Sequence, residues 1–280
     1  MNTETTLDNL NCCSAPLESG CLPSCCSGSS KYSIEVSNLC VEFDDVLALD
    51  EVSFKIPKGV LTGVVGPNGG GKSTLFNALV GLQNTARGTI FINGNDPEKK
   101  IGDISYVPQK EKVNWRFPLS VTDVVSLGKL KREPFYKMFN LAKDTEIEDA
   151  LKKVGMWDNR HELMGNLSGG QRQRAFIARA LVQKANILLL DEAFSGVDLP
   201  SQEDVLDVLK DLRDEGKTIL IATHDLNTLS NRFDELLCLN RHVCAHGDPQ
   251  SVFTKEVLIE LYGSHEHMFA DHKIGQHGLP

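Results

Sequence analysis

The fold of this chain is decided by the stretch Val60-Leu61-Thr62-Gly63-Val64-Val65-Gly66-Pro67-Asn68-Gly69-Gly70-Gly71-Lys72-Ser73-Thr74. It opens with a short apolar run, which is typical of a buried parallel strand. It then matches the pattern G-x-x-x-x-G-K-S/T of a loop that binds phosphate groups. From Lys72 to Leu82 the residues Leu75, Leu79 and Leu82 recur at helical spacing. The order therefore predicts a strand, a phosphate loop and a helix.

Each residue type in this loop suits a triphosphate. The glycines allow the backbone to approach closely and to point N–H groups at phosphate oxygens. Lys72 adds a positive charge for the β- and γ-phosphates, and the Ser73 hydroxyl is an expected ligand of Mg²⁺. The N-terminus of the following helix favours an anion. We predict a nucleotide-binding loop made of Gly66, Pro67, Asn68, Gly69, Gly70, Gly71, Lys72, Ser73 and Thr74.

Two further motifs follow the loop along the chain. In Leu167-Ser168-Gly169-Gly170-Gln171, Ser168 is placed to cap a helix whose dipole favours an anion. In Ile187-Leu188-Leu189-Leu190-Asp191-Glu192, two carboxylates end an apolar strand, where one can face Mg²⁺. Taken alone, the first motif is also compatible with an ordinary helix cap and the second with two solvated acids.

The three motifs, in this order, resemble those of the ATP-binding cassette (ABC) family, the ATPase subunits that power membrane transporters. The resemblance implies ATP and Mg²⁺ as cofactors, with Asp191 holding Mg²⁺ through water and Glu192 acting as the general base. It also implies a second copy of the cassette in the active species. The signature residues of one copy would close over the ATP on the other, namely Ser168, Gly169, Gly170 and Gln171.

Four more positions match the family pattern. Gln109, in Tyr106-Val107-Pro108-Gln109, matches the Q-loop residue that reaches Mg²⁺ and the attacking water. His224 matches the switch histidine that touches the γ-phosphate. Asp198, in Ser195-Gly196-Val197-Asp198, matches the D-loop at the dimer seam, although the family string there is closer to S-A-L-D. Phe43 is placed to stack on adenine, but a core Phe in a strand is an equal alternative by pattern alone.

Strands alternate with helices along the chain, which predicts an α/β fold. We expect a P-loop NTPase core with a mostly parallel sheet and helices on both faces, an N-terminal antiparallel β subdomain, and a helical insertion. The ABC domain is assigned to residues 32–263 and the helical subdomain to about 110–166. Residues 32–43 are read as a strand pair continued by residues 46–56. Further helices are expected over 121–130, over 145–154 with a cap at Asp144, over 168–182, and from Ser201 to Glu215.

The bulk composition limits the function classes. With 280 residues, 41% of them hydrophobic and 24% charged, the composition is that of a soluble globular protein. The formal net charge of −9 argues against a nucleic-acid binder that relies on overall positive charge, although it leaves a local basic patch open. The longest apolar runs are far below the about 20 residues that a membrane span needs, and no secretory signal is visible. Together with these limits, the resemblance to the ABC family implies a peripheral protein on the cytoplasmic face of the plasma (inner) membrane, with integral-membrane permease subunits as partners.

Three segments resemble the cassettes of manganese, zinc and iron(II) importers: residues 114–125, 192–198 and 245–249. The resemblance implies uptake of a divalent metal ion and a metal-binding protein outside the cytoplasm in the same system. The alternatives are an ABC ATPase for another substrate, a soluble non-transport ABC ATPase, and a metal-buffering protein with a degenerate ATP site. The intact Lys72, Asp191 and Glu192 argue against the last of these.

The two ends of the chain carry possible metal ligands. Residues 1–31 form a Cys- and Ser-rich segment, interpreted as a mobile extension, with a soft-metal sensor as the alternative. Its cysteines are Cys12, Cys13, Cys21, Cys25 and Cys26. Cys21 and Cys25 have C-x₃-C spacing, but the segment has no second, independent pair of this kind to complete the pattern of a structural zinc site. Residues 264–280 form a tail that contains His265, His267, His272 and His277. Imidazole binds Zn²⁺ or Mn²⁺, but a tail without a carboxylate cage is more often simply polar.

Overall fold

A computed structural model describes residues 30–43, 46–96, 102–109, 118–130, 144–192, 194, 197–224, 232–252 and 254–263. Its strands are β1 Tyr32–Phe43, β2 Val46–Pro57, β3 Leu61–Val65, β4 Arg87–Ile92, β5 Ile104–Val107, β6 Ile187–Asp191, β7 Thr218–Thr223, β8 Glu235–Asn240 and β9 His242–Gly247. Its α-helices are α1 Lys72–Leu79, α2 Val121–Ser126, α3 Thr145–Lys153, α4 Gly169–Gln183, α5 Leu199–Asp214, α6 Pro249–Val252 and α7 Lys255–Tyr262. Within these ranges, no helix has the length and apolar character required to cross a membrane.

The central sheet of the described structure has six strands in the order β5-β6-β7-β3-β8-β9. Strands β5, β6, β7, β3 and β8 run parallel to their neighbours, and only β9 is antiparallel to its neighbour β8. Strands β3, β6 and β7 are buried along their whole length, as expected of a parallel sheet covered on both faces. The predicted α/β class with a mostly parallel sheet is confirmed.

The two faces of this sheet are covered by different elements. Alternate residues of β6 point to opposite sides, so that Leu188 and Leu190 join one core cluster and Ile187 and Leu189 the other. The first cluster contains residues of α2, α3, α4 and α5. The second contains residues of α1 and of the strands β1, β2 and β4. Helices therefore lie on both faces, as predicted.

The N-terminal antiparallel sheet has the strand order β2-β1-β4 in the described residues. The prediction of a strand pair within residues 32–43 is wrong, because these residues form the single strand β1, which pairs with β2 from Tyr32 opposite Pro57 to Phe43 opposite Val46. The register shifts between Val36 and Leu39, and Asn38 has a positive φ of 49°. This bulge interrupts the alternation of side chains, which made one strand look like two.

Some helix ends differ from the prediction. Helix α1 ends at Leu79, and Gly81 follows in a left-handed conformation with φ 73°. Leu82 therefore lies outside the helix and is 70% exposed, so it does not share the buried face. The segment predicted as one helix over 121–130 is α2 followed by a 3₁₀ turn at Leu127–Lys129. The cap of α3 by Asp144 is confirmed.

The predicted start of α5 at Ser201 is also wrong. The helix begins at Leu199, and the Asp198 carboxylate caps it by accepting a hydrogen bond from the Ser201 backbone N–H at 3.0 Å. Pro200 stands in the first turn, where its missing N–H costs no helical hydrogen bond. Residues 110–117 and 131–143 lie outside the described residues, so the boundaries of the helical subdomain remain predictions.

Candidate nucleotide-binding site

The predicted site residues follow four strands at one edge of the central sheet. The phosphate loop follows β3, Gln109 follows β5, Glu192 follows β6, and His224 follows β7. Because these strands are parallel and adjacent in the order β5-β6-β7-β3, their carboxyl ends meet at the same edge. Crevices at this edge of α/β sheets are the usual place for a nucleotide.

The glycines of the loop are required for two different reasons. A Cβ atom on Gly66 would lie 1.9 Å from the carbonyl oxygen of Leu239, and one on Gly71 would lie 2.6 Å from Leu49 Cδ2. Gly71 and Gly69 also have positive φ values of 94° and 80°. Nothing lies within 4 Å of the Cβ position on Gly69, at the exposed tip. Gly66 and Gly71 allow the loop to pack on β8 and β2, while Gly69 keeps the backbone of the tip accessible.

Lys72 begins α1 and is 5% exposed. Its Nζ donates hydrogen bonds to the carbonyl oxygens of Gly66 at 2.7 Å and Pro67 at 2.8 Å. Burial lowers the pKa of Lys72, and the charges of Glu192 and Asp191 oppose this shift. The cation and the two carboxylates thus act on each other across the same small site.

Asp191 is the last residue of β6 and is 2% exposed. The Tyr106 hydroxyl donates a hydrogen bond to Asp191 Oδ2 at 3.2 Å. Burial, and then the Asp191 carboxylate, raise the pKa of Tyr106, so this hydroxyl stays a donor. Asp191 Oδ1 is buried, and no donor among the described residues reaches it. A buried carboxylate oxygen of this kind fits a hard cation such as Mg²⁺.

The sequence did not predict a role for Tyr106, although this residue belongs to the segment that contains Gln109. The sequence carries no signal for this contact, because the contact depends on which strands are neighbours in the sheet. Strand β5 pairs with β6 in parallel, with Tyr106 opposite Leu189, two residues before Asp191. Arg179 of α4 donates a hydrogen bond to the Tyr106 carbonyl oxygen at 2.8 Å. These contacts fix the tyrosine beside the acid.

Glu192 and Gln109 form a second pair at the sheet edge. Gln109 Nε2 donates a hydrogen bond to Glu192 Oε2 at 2.6 Å. The Glu192 backbone has a positive φ of 49°, which is uncommon for a residue other than glycine and recurs at functional sites. Its N–H donates to the Ala222 carbonyl oxygen at 3.2 Å, which ties the turn to β7. His224 is exposed just beyond the end of β7.

The signature residues lie at the start of α4. Ser168 and Gln171 form a capping box, in which Ser168 Oγ accepts from the Gln171 N–H and Gln171 Oε1 accepts from the Ser168 N–H. A Cβ atom on Gly170 would lie 2.9 Å from Ser201 Cβ, because α4 and α5 pack closely there. Ser168 and Asp198, which are both exposed, thus lie on either side of the contact between α4 and α5, which we call the α4–α5 seam. Among the described residues, no hydrogen bond or ion pair joins this seam to the phosphate loop of the same chain.

Phe43 lies at the end of β1 and is 44% exposed, and its partner Val46 on β2 is 60% exposed. It is therefore not a core residue, which was the alternative reading of its pattern. Further along β2, Leu49 approaches Gly71 of the phosphate loop. The hairpin thus passes beside the loop and carries an exposed aromatic ring at its tip.

Comparison with known proteins agrees with this geometry. The sequence model of the family described as ABC transporter matches residues 49–195. The manganese transport system ATP-binding protein MntB of Bacillus subtilis is 40% identical over 232 residues, which cover 83% of this chain and 93% of that protein. The chain belongs to the ABC transporter family. The zinc transport system ATP-binding protein TroB of Treponema pallidum is 37% identical and is covered to 88% of its length.

Solved structures support the same fold for this ABC protein. Its similarity to cbiO1 of Clostridium perfringens, described as part of the ABC transporter complex cbiONQ, has a TM-score of 0.70 at 28% identity. That match covers 82% of this chain and 94% of cbiO1. A nucleotide-free ATP-binding cassette with a TM-score of 0.70 at 23% identity agrees in fold. The chain is an ABC-type ATPase.

Proposed function

We propose that this ABC ATPase binds and hydrolyses Mg-ATP to energise uptake of a divalent metal ion, namely manganese, zinc or iron(II), through a separate permease. The observation that carries the ATPase half is the meeting of Lys72, Asp191, Glu192 and Gln109 at one sheet edge. The metal half is supported by relatives named as manganese and zinc transport proteins at 37–40% identity.

The Mg²⁺ of Mg-ATP would be held by the Ser73 hydroxyl, the Asp191 carboxylate and the Gln109 side chain. The unpartnered, buried Asp191 Oδ1 supports this assignment. When bound, the cation neutralises charge on the β- and γ-phosphate oxygens. Tyr106 keeps the Asp191 carboxylate in place through its hydrogen bond to the other oxygen.

For hydrolysis, Glu192 would accept a proton from the attacking water as general base. Gln109, which already contacts Glu192 Oε2, would orient the same water. Lys72 and His224 would stabilise the charge that develops on the γ-phosphate. The loop from Gly66 to Thr74 would cradle the phosphates through its backbone N–H groups.

A second copy of the chain would complete each site. The exposed N-terminus of α4 offers backbone N–H groups and a favourable dipole to the γ-phosphate bound to the partner. Ser168, Gly169, Gly170 and Gln171 would make this contact, with Asp198 beside them at the seam. Phe43 would stack on the adenine of the nucleotide held by its own chain.

A cleft of about 1100 Å³ supports an interaction with a membrane subunit. Its lining includes four apolar side chains exposed by 37–70%, which are Leu82, Phe91, Leu127 and Leu130. Exposed apolar clusters of this kind mark protein interaction sites. We assign the cleft to a cytoplasmic segment of the permease, which would hold the cassette at the cytoplasmic face of the plasma (inner) membrane. A metal-binding protein on the outer side would deliver the ion.

The test is the uptake of labelled Mn²⁺, Zn²⁺ and Fe²⁺ in cells that lack the chain, rescued by wild type or by Lys72→Ala. Loss of uptake of one ion, restored by wild type alone, is the expected result and names the cargo. Unchanged uptake of all three ions would overturn the metal substrate and favour another substrate or a role outside transport. ATP hydrolysis by the purified chain tests the other half of the proposal.

A further inference from the structure

A cluster of three potential metal ligands lies away from the nucleotide site, where β9 meets α7. His242 and Cys244 come from β9, and Glu260 comes from the second half of α7. One ligand atom of each residue lies within 4.8 Å of the others. The His242 Nε2 atom is 2.8 Å from Glu260 Oε1 and 3.7 Å from Cys244 Sγ.

The backbone places these side chains together for simple reasons. His242 and Cys244 are two residues apart on a strand, so their side chains point to the same face of β9. Helix α7 packs on β8 and β9 on that side. Asn240 Nδ2 donates a hydrogen bond to the Leu261 carbonyl oxygen at 3.1 Å, which ties the end of α7 to the turn between β8 and β9. Glu260 is therefore held opposite the strand.

We propose that His242, Cys244 and Glu260 form a binding site for a borderline-soft divalent cation of the Zn²⁺ class. A tetrahedral zinc ion, with bonds of about 2.0–2.3 Å, keeps neighbouring ligand atoms about 3.4–3.7 Å apart. The Cys244–His242 separation of 3.7 Å already has this value, and the Glu260 side chain is half-exposed and free to adjust. Three protein ligands leave the fourth position to water or another ligand.

The ligand set selects among metals. Thiolate and imidazole favour Zn²⁺, whereas Mg²⁺ and Mn²⁺ prefer oxygen ligands. Burial, and then the Glu260 charge, raise the pKa of the Cys244 thiol to about 11. The thiol is therefore protonated before metal binds, and formation of the metal–sulfur bond releases one proton to solvent. The site is thus chemically distinct from the oxygen ligands around Asp191.

The site also lies next to the phosphate loop in the chain. Arg241, which directly precedes His242, donates its N–H to the Gly70 carbonyl oxygen at 2.9 Å and accepts from the Asp50 N–H at 2.8 Å. A metal ion on His242 would therefore bind a turn that is joined to the loop by a backbone hydrogen bond. An ion at this position is suited to a regulatory role. This role does not depend on which substrate the ABC protein moves.

The experiment measures alkylation of Cys244 in the full chain with and without Zn²⁺. Trypsin cleaves after Arg241 and Lys255, and the resulting peptide contains Cys244 as its single cysteine. Thiols elsewhere in the chain therefore do not interfere with the readout. Buried Cys238, on the preceding peptide, reports whether the fold is intact, because it should remain unreactive throughout.

At a free Zn²⁺ concentration ten times the Kd, we expect alkylation of Cys244 to slow about tenfold. His242→Ala and Glu260→Gln should weaken this protection, and their side chains are about half exposed, so the fold should tolerate both changes. The matched control is Glu256→Gln, an exposed glutamate one turn earlier on α7. Equal alkylation with and without Zn²⁺, equal protection in His242→Ala, or equal protection by Mg²⁺ would each overturn the site.

Discussion

At the scale of single residues, the phosphate loop requires a residue without a side chain at Gly66. Gly66 itself packs against the carbonyl oxygen of Leu239 on β8. Its φ is not in the left-handed region, so the need for glycine comes from close approach and not from backbone strain. The motif predicts glycine at this position, but the neighbour that excludes a side chain lies far away in the sequence.

We expect Gly66→Ala to destabilise the protein by about 3 kcal/mol, at the upper end for overpacking. The added Cβ would lie 1.9 Å from a backbone oxygen, so either β8 or the loop must move. Thermal unfolding should show a Tm lower by about 6 °C or more. Gly102→Ala is the matched control, because nothing lies within 4 Å of its Cβ position. Equal Tm values for the two variants would contradict the packing argument.

A second prediction at this scale concerns the general base. Glu192→Gln keeps the size and the hydrogen-bonding capacity of the side chain beside Gln109 but removes its ability to accept a proton. We expect ATP turnover to fall by about 10²- to 10⁴-fold, while ATP binding is retained. Turnover and nucleotide affinity should be measured on the same preparation.

Glu162→Gln, which alters an exposed glutamate outside the site, is the control for Glu192→Gln. Near-normal turnover in Glu192→Gln would remove this residue from its proposed role. Loss of ATP binding together with turnover would instead indicate a structural role at the turn after β6.

At the scale of elements, caps and charges decide where the helices begin and how they are joined. Ser120, Asp144, Ser168 and Asp198 each cap a helix with a side-chain oxygen. Sequence predicted the caps at Asp144 and Ser168 from residue type and position. It missed the cap at Asp198 because a motif of similar appearance begins three residues later at Ser201.

Glu146 of α3 joins three elements of the helical region. Its carboxylate is 2.6 Å from Lys184 Nζ, at the end of α4, and 3.3 Å from Lys129 Nζ, in the 3₁₀ turn after α2. Lys129 also contacts Asp144, and its side chain is only 9% exposed. Lys184 first, and then Lys129, hold the pKa of Glu146 below its ordinary value. The network therefore favours the ionised form of Glu146 in the folded protein.

This network predicts a pH-dependent stability. A lowered carboxyl pKa stabilises the fold above the pKa of the unfolded chain, and this contribution is lost as pH falls through the folded pKa. Glu146→Gln should therefore lower the Tm at neutral pH, and the deficit should shrink as pH falls below about 4.5, the ordinary value. The measurement is the Tm of Glu146→Gln relative to wild type across this pH range, with Glu162→Gln as the control. A deficit of the same size at neutral and acid pH would exclude the ion pairs as its cause.

At the scale of the whole molecule, the signature and the phosphate loop occupy different elements of one chain. The loop begins α1, which packs on the antiparallel sheet side, whereas the signature begins α4 on the opposite face of the central sheet. Both ends present N–H groups suited to an anion. In the proposed dimer, the N-terminus of α1 of one copy and the N-terminus of α4 of the other copy would meet at one ATP.

We expect Ser168→Asp to prevent ATP-dependent dimerisation of a Glu192→Gln background. Aspartate is a good helix cap, so α4 should remain stable, but its negative charge would repel the γ-phosphate of the partner. Light scattering with Mg-ATP should show a dimer for Glu192→Gln alone and a monomer for the double variant. Thr254→Asp, at the cap of α7, is the control substitution. A dimer that survives Ser168→Asp would contradict the composite site.

Sequence alone determined those features that depend on local chemistry. The phosphate loop needs a strand, glycines and a lysine in one short stretch, and the acids Asp191 and Glu192 end a recognisable apolar strand. The class of the sheet followed from the alternation of strands and helices. These signals are local because each is set by backbone geometry or by the chemistry of a few neighbouring residues.

Tertiary structure decided what depends on residues distant in sequence. Examples are the Tyr106 hydrogen bond to Asp191, the exposure of Phe43, and the cluster of His242, Cys244 and Glu260. The contacts of Tyr106 and of the His242 cluster are made by sheet register and helix packing, across separations of up to 85 residues along the chain. Such contacts arise from burial of apolar surface, which is not directional, so the pattern of residue types does not specify which side chains will meet.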